Sequence, residues 1–173
     1  MIEIFFKSKG QIVCDKNLTL LEELGFDDVL WIDLFEPSGE KRAVEAFLET
    51  TLQSRAQAEE IESSSRYSET DTTIFANTNF LIPGPDEYNL EAVSFIISEG
   101  ILVTIRQVPL RTFTDLQRRI GNSYKLFPTG YHILVSILRI SSKMVFVINL
   151  LFCIKFILPT PYLTSLSFLI AIP

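Results

Sequence analysis

The chain has 173 residues, 47% of them hydrophobic, and a formal charge of −6. That length suits one domain with a real core plus an appendage, and the acidic balance excludes a general nucleic-acid binder, which needs a basic face to meet phosphate. The charge is divided sharply. All 21 Asp and Glu fall at or before Asp115, so residues 1–115 carry nine Lys and Arg and a net −12, whereas residues 116–173 carry six and no acid. Two distant cysteines, Cys14 and Cys153, and the single histidine His132 exclude a Cys/His zinc site by count. Both thiols read as buried and inert, which suits a reducing compartment. Met1 to Lys7 offers no basic leader, long apolar core or small-residue cleavage site, so it is not read as a secretory signal and the domain is expected in the cytosol.

In chain order, Ile2 to Phe6 and Gln11 to Cys14 are short apolar runs on either side of Gly10, the pattern of a hairpin. Thr19-Leu20-Leu21-Glu22 has the spacing of a capping box and predicts a short helix that Gly25 ends. Val29 to Leu34 is an apolar run with one acid, Asp33, broken by Glu36-Pro37-Ser38-Gly39. It predicts a buried strand. Val44, Phe47, Leu48, Thr51 and Leu52 recur at helical spacing, so a helix over 40–52 is expected to cover that strand, with Ser38 as N-cap. A second capping box, Ser54-Arg55-Ala56-Gln57, opens a helical turn through Glu59, Glu60, Ile61 and Glu62, before Ser63-Ser64-Ser65 breaks it.

Thr73 to Ile82 and Asn89 to Ser98 are rich in strand formers around the turn Pro83-Gly84-Pro85-Asp86. Ile101 to Arg106 follows Glu99-Gly100 as a third strand, so three consecutive antiparallel strands are predicted. Pro109 opens a helix to about Ile120, with Phe113, Leu116 and Ile120 on one face and Arg111, Arg118 and Arg119 on the other. A further helix starts near Thr129, with Ile133, Leu134, Ile137 and Leu138 at core spacing. Beyond it, Met144 to Leu158 and Tyr162 to Ile172 are apolar stretches separated by Pro159-Thr160-Pro161. The first is shorter than the about 20 residues a bilayer span needs, and its Lys155 would cost about 3 kcal/mol at mid-span.

Leu30-Trp31-Ile32-Asp33-Leu34-Phe35-Glu36-Pro37, then Ala58-Glu59-Glu60-Ile61-Glu62-Ser63-Ser64-Ser65-Arg66-Tyr67-Ser68-Glu69, then Ala92-Val93-Ser94-Phe95-Ile96-Ile97 with Leu102-Val103-Thr104-Ile105-Arg106, together resemble the CorA family of magnesium transporters. The match is collinear and covers roughly residues 2–140. The resemblance implies an α/β fold, a mixed and largely antiparallel sheet flanked by helices in an α/β/α sandwich. It implies the cytoplasmic domain, residues 1–140, of a homopentameric cell-membrane channel for Mg²⁺, with Co²⁺ and Ni²⁺ also permeant and no enzymatic role.

By position, Glu60, with Glu59 beside it, matches the family's N-domain acid of a weak regulatory Mg²⁺ site. Its partner lies on a neighbouring stalk helix, and ion loss lets subunits move apart and the gate open. The family's later acid-rich stalk and its Gly-Met-Asn signature do not occur in these 173 residues. Residues 141–173 form instead a hydrophobic, acid-free tail, expected as an aberrant segment whose reading frame is lost near Arg139 to Lys143, with a membrane-associated tail as the other reading. A chain without the pore is not expected to conduct by itself, and a soluble acidic module binding a protein or divalent ions without transport remains the alternative.

Other residues carry sharper and blander readings side by side. Asp33 is a metal ligand or, by preference, a cap for the turn after its strand. Trp31 is core by default. The serine trio lacks a nearby histidine or glycine-rich loop, so it reads as loop chemistry. Arg106, Arg111, Arg118 and Arg119 could meet anionic headgroups or pair with the excess carboxylates.

Overall fold

The structure is a computed structural model and describes residues 1–53, 67–84, 88–121 and 124–142. The second capping box, the Glu59–Glu62 acids and the tail from residue 143 lie outside the described residues. Among those described, strands β1 (Ile2–Ser8), β2 (Gln11–Asp15), β3 (Val29–Phe35), β4 (Tyr67–Glu69), β5 (Thr73–Pro83), β6 (Tyr88–Ser98) and β7 (Ile101–Arg106) form one sheet. Their order is β2-β1-β3-β7-β6-β5-β4. Helices α1 (Glu40–Leu48), α2 (Arg111–Ile120) and α3 (Gly130–Ser142) flank it.

The sheet is mixed in one place only: β3 and β7 run parallel, while every other neighbouring pair is antiparallel. The β5, β6 and β7 run was legible because their connections are short. The three-residue β4 was not anticipated. Two hairpins turn on paired left-handed residues, Lys9 (φ 50) with Gly10 (φ 77) and Glu99 (φ 50) with Gly100 (φ 79). That geometry matches the twist of the flanking strands, and glycine takes the second position without strain.

Two cores lie on opposite faces of the sheet. Ile2, Ile4, Val29, Ile32, Leu34, Ile96, Ile101 and Val103 pack against Val44 and Leu48 of α1 and against Leu21 and Leu52. On the other face Phe5, Leu30, Trp31, Phe95 and Leu102 meet Phe113, Leu116 and Ile120 of α2 and Ile133, Leu134 and Ile137 of α3. This is the α/β/α sandwich the sequence implied. The continuous apolar run of β3 follows from it, because a strand covered on both sides needs no polar alternation. One bulge refines the pattern. Phe5 lies opposite Trp31 and Phe6 opposite Val29, so Leu30 is left over. Leu30 and Trp31, though adjacent, therefore both join the α2–α3 side.

Several predicted boundaries shift. The helix expected to reach Leu52 stops at Leu48, because Glu49 turns left-handed (φ 51) and its N–H closes on the Glu45 carbonyl. Leu52 is nevertheless buried, held by its N–H donating to Glu45 Oε1 at 2.9 Å, whereas Thr51 of the same stripe is exposed. Ser38 does not cap α1: Gly39 is at the N-cap, and the Glu40 carboxylate instead accepts from Ser38 N–H at 2.9 Å. The Thr19 box is a 3-10 helix, Leu18–Glu22, capped two residues earlier by Asn17, whose Oδ1 accepts from Thr19 N–H. The helix assigned to Pro109 begins at Arg111, its first free amides, Phe113 and Thr114 N–H, reaching the Leu110 carbonyl. Cys14 is exposed on β2 rather than buried; desolvation first, then the Glu3 carboxylate, pushes its thiol up to about 11, so it stays protonated and inert.

Gly130 decides how closely α3 approaches the sheet. Its N–H donates to the Gly100 carbonyl at 2.8 Å, and a Cβ there would stand 2.7 Å from Gly100 O, 2.8 Å from Leu30 O and closer still to Leu102 N. All three obstacles are backbone, so no rotamer change relieves them. Gly130→Ala is expected to cost at least about 1–3 kcal/mol and to lower the thermal midpoint by several degrees in a circular-dichroism melt; an unchanged midpoint would show that α3 seats differently.

Candidate functional site

The polar centre of the molecule is built across the one parallel strand pair. In that register Asp33 lies opposite Thr104 and Phe35 opposite Arg106. The Arg106 guanidinium grips the Asp33 carboxylate, Nη2 to Oδ2 at 2.7 Å and Nε at 3.2 Å from both oxygens, and its Nη1 donates to the Val108 carbonyl at 2.9 Å. Thr104 hydroxyl donates to Asp33 Oδ1 at 2.7 Å and accepts from Trp31 Nε1–H at 2.9 Å. The cation also lies over the rings of Phe35 and Phe113, at 4.8 and 5.0 Å from their centroids. Asp33 is 1% and Arg106 6% exposed.

A second tier connects this pair to the surface. Gln117, on α2, donates from Nε2 to Glu3 Oε2 at 2.5 Å and to Asp33 Oδ2 at 3.3 Å. Glu3 in turn holds Lys16 at 3.0 Å. Burial raises the Asp33 carboxyl above its ordinary value, opposed by Arg106 and then by the Thr104 hydroxyl. Both carboxylate oxygens are occupied by protein donors, so neither sequence reading of Asp33 holds: it caps no turn, and its lone pairs are committed to Arg106, Thr104 and Gln117. Likewise Arg106 does not face headgroups; of the four arginines Arg106, Arg111, Arg118 and Arg119, it alone is buried. Each partner was visible as the single charge in its apolar run. What was missing was the parallel pairing that sets them side by side.

Glu60 and Glu59 lie outside the described residues, but both flanks of their segment are described. Gln53 Oε1 accepts from Asn77 Nδ2–H at 2.9 Å, and Tyr67 pairs with Ala76 in the ladder. Gln53 and Tyr67, the described residues on either side of 54–66, thus lie beside consecutive residues of β5. Among the described residues no cluster of three or more His, Cys, Asp or Glu could hold a metal ion. His132 sits half-buried at the start of α3, its Nδ1 2.9 Å from Thr129 Oγ1, and burial pulls its pKa below the ordinary value. No described helix is long and apolar enough to cross a membrane.

Comparison with known proteins places this geometry. The soluble domain of CorA from Methanocaldococcus jannaschii superposes with a TM-score of 0.54 over 83% of this chain and 58% of that one, at 17% identity. The ZntB cytoplasmic domain from Vibrio parahaemolyticus gives 0.54 over 80% and 56%, at 12% identity. At such identities the likeness defines the class of fold alone, an α/β/α domain of the CorA soluble type. Sequence goes further: the CorA-like Mg²⁺ transporter protein family matches residues 26–148, and the magnesium transport protein CorA of Wolinella succinogenes is 33% identical over 146 residues, 81% of this chain and 46% of that protein. The chain belongs to the CorA-like Mg²⁺ transporter family. It spans about half the length of the curated relatives it matches.

Two outcomes check the polar centre. Arg106→Met strands a buried carboxylate and is expected to cost about 3–5 kcal/mol in urea unfolding, whereas Asp33→Asn with Arg106→Met is expected to cost less than Arg106→Met alone. At the far end of β3, the Met1 ammonium ion-pairs with Glu40 Oε1 at 2.9 Å and donates to the Phe35 carbonyl at 2.9 Å. That ammonium, with the backbone N–H groups of Glu40 and Ser38, lowers the Glu40 carboxyl to about 2. A carboxyl depressed by folding stabilises fully above its unfolded value near 4.5 and loses that contribution as pH falls through about 2. Glu40→Gln is therefore expected to flatten the acid limb of a stability-against-pH curve while leaving its shape above pH 5 unaltered.

Proposed function

We propose that residues 1–140 act as the cytoplasmic, cation-sensing domain of a Mg²⁺ transport protein in the cell membrane, with Glu60 and Glu59 contributing to a weak regulatory Mg²⁺ site. The observation that carries this reading is the family match over residues 26–148, which spans both acids, on a chain with the fold of the CorA soluble domain. Mg²⁺ takes hard oxygen ligands and keeps several of its waters, so one protomer's paired carboxylates bind it loosely and a second copy completes the site. Assembly into a homopentamer follows from the same reading. Held close, the acids repel; the ion neutralises them, and its loss frees the subunits to move.

The transported ion, Mg²⁺ with Co²⁺ and Ni²⁺ as alternatives, passes in this proposal through parts of the relatives that the matched half does not span. Residues 141–173, acid-free where the family's stalk is acid-rich, are proposed to follow a change of reading frame near Arg139 to Lys143. An acidic helix and Gly-Met-Asn in another frame of the downstream DNA would support that change, and their absence from both other frames would end it.

The sensing reading is tested by calorimetric Mg²⁺ titration of the whole chain, wild type against Glu60→Ala and Glu59→Ala. Loss of at least about tenfold in affinity is expected for Glu60→Ala, about 1.4 kcal/mol. Identical isotherms in all three proteins would remove these residues from any Mg²⁺ site.

A further inference from the structure

We propose that the corner at the C-terminal end of α2, formed by Arg118, Arg119, Tyr124, Lys125 and Leu126, docks on the surface of an anionic lipid bilayer. The proposal goes beyond cation sensing and does not depend on it. The corner is held in place from both sides: Ile120 and Phe127 are buried in the same core, 1% and 7% exposed, and Phe127 N–H closes the turn on the Tyr124 carbonyl at 3.2 Å. Tyr124, Lys125 and Leu126, just before Phe127, face outward. Leu126 is 69% and Tyr124 37% exposed, and Lys125 between them is exposed too. The 3-10 turn Tyr124–Leu126 buries none of its residues.

The sequence around these apolar side chains is basic. Arg118 and Arg119 occupy the last turn of α2, both exposed; Arg118 makes a long ion pair with Asp115 at 3.8 Å and keeps a 76% exposed side chain. From Leu116 to Ser142 the sequence has four basic residues and no acid. The helix dipole accounts for arginines at a helix C-terminus, but it does not account for a leucine and a tyrosine left in water on either side of a lysine. Basic side chains that meet phosphate, with an aliphatic and an aromatic side chain at headgroup depth, are the chemistry of a peripheral membrane contact. A protein partner is the weaker match, since a stable protein interface recruits about 20–30 residues a side. Lipid conforms to a five-residue corner; a rigid protein face does not.

The test is co-sedimentation of the full-length chain with phosphatidylcholine vesicles prepared with and without phosphatidylglycerol, at low and high salt. Partitioning of the wild type is expected to rise with phosphatidylglycerol and to fall with salt. Each basic residue near an anionic surface contributes about fivefold, so Arg118→Glu with Arg119→Glu and Lys125→Glu is expected to lose at least about tenfold of the phosphatidylglycerol-dependent binding. Leu126→Ser is expected to weaken binding to both vesicles, and Glu60→Ala to change neither. Thermal melts verify folding; should the charge-reversed protein fail to fold, Lys125→Gln with Arg119→Gln and the salt dependence of the wild type decide instead. Phosphatidylglycerol dependence retained in folded charge variants would overturn the proposal. So would self-association that the same variants abolish while vesicle binding stays constant, which would assign the corner to an acidic protein face.

Discussion

The parallel pairing of β3 with β7, locked by Asp33 and Arg106, is the constraint on which the rest of the structure depends. Every other pairing in the sheet joins strands linked by a short connection or a hairpin, or adds β3 to the edge of the β1–β2 hairpin. This one alone joins residues some seventy positions apart, and without it the chain would be two separate antiparallel pieces. Burying both charges is expensive, and their attraction does no more than offset that cost. What the pair supplies is selection. A one-residue slip of β7 would carry Arg106 to the α1 face, leaving both charges buried and unpaired.

The network then organises what packs on it. Thr104 links the pair to Trp31, and Phe113 of α2 lies under the guanidinium as well as against the Trp31 ring, 6.0 Å between centroids. Gln117 fastens the next turn of α2 to Asp33 and Glu3 together. The same layer is completed by α3, whose first residue has to be a glycine because the backbones of β3 and β7 leave no room for a side chain. Helix placement on this face is thus set by a polar pair and a missing Cβ, with apolar burial filling the space between.

The opposite face works differently. There α1 lies on apolar strand residues, and its C-terminal end is closed by a left-handed Glu49 and by the Glu45 carboxylate reaching Leu52 N–H. From that point the chain goes on to Gln53, which meets β5 at Asn77, and Tyr67, fourteen residues later in sequence, pairs with the neighbouring Ala76. The acids proposed to meet Mg²⁺ lie between those two residues in sequence. Asn77, which donates to Gln53, keeps a buried Oδ1 with no hydrogen-bond partner, a polar group whose acceptor capacity the described residues leave unused.

Read from the chain alone, the amphipathic helices, the apolar run of β3, the three-strand meander and the family were all legible, because each is carried by local periodicity or by ordered segments along one strand of sequence. Asp33 and Arg106 were individually visible as odd charges in apolar runs, yet their roles were not, since a charge declares its partner only when pairing brings distant strands together. The caps shifted for the same reason: Asn17, Gly39 and Leu110 displaced Thr19, Ser38 and Pro109 through contacts a residue or two away from the expected spacing. The sequence by itself determined most of the strands and helices described, though not the short β4, and which family they belong to. Tertiary structure decided the parallel register, the bulge that turns Leu30 and Trp31 to one face, and the closeness of Gly130, because these depend on atoms that meet only after non-local strands have paired.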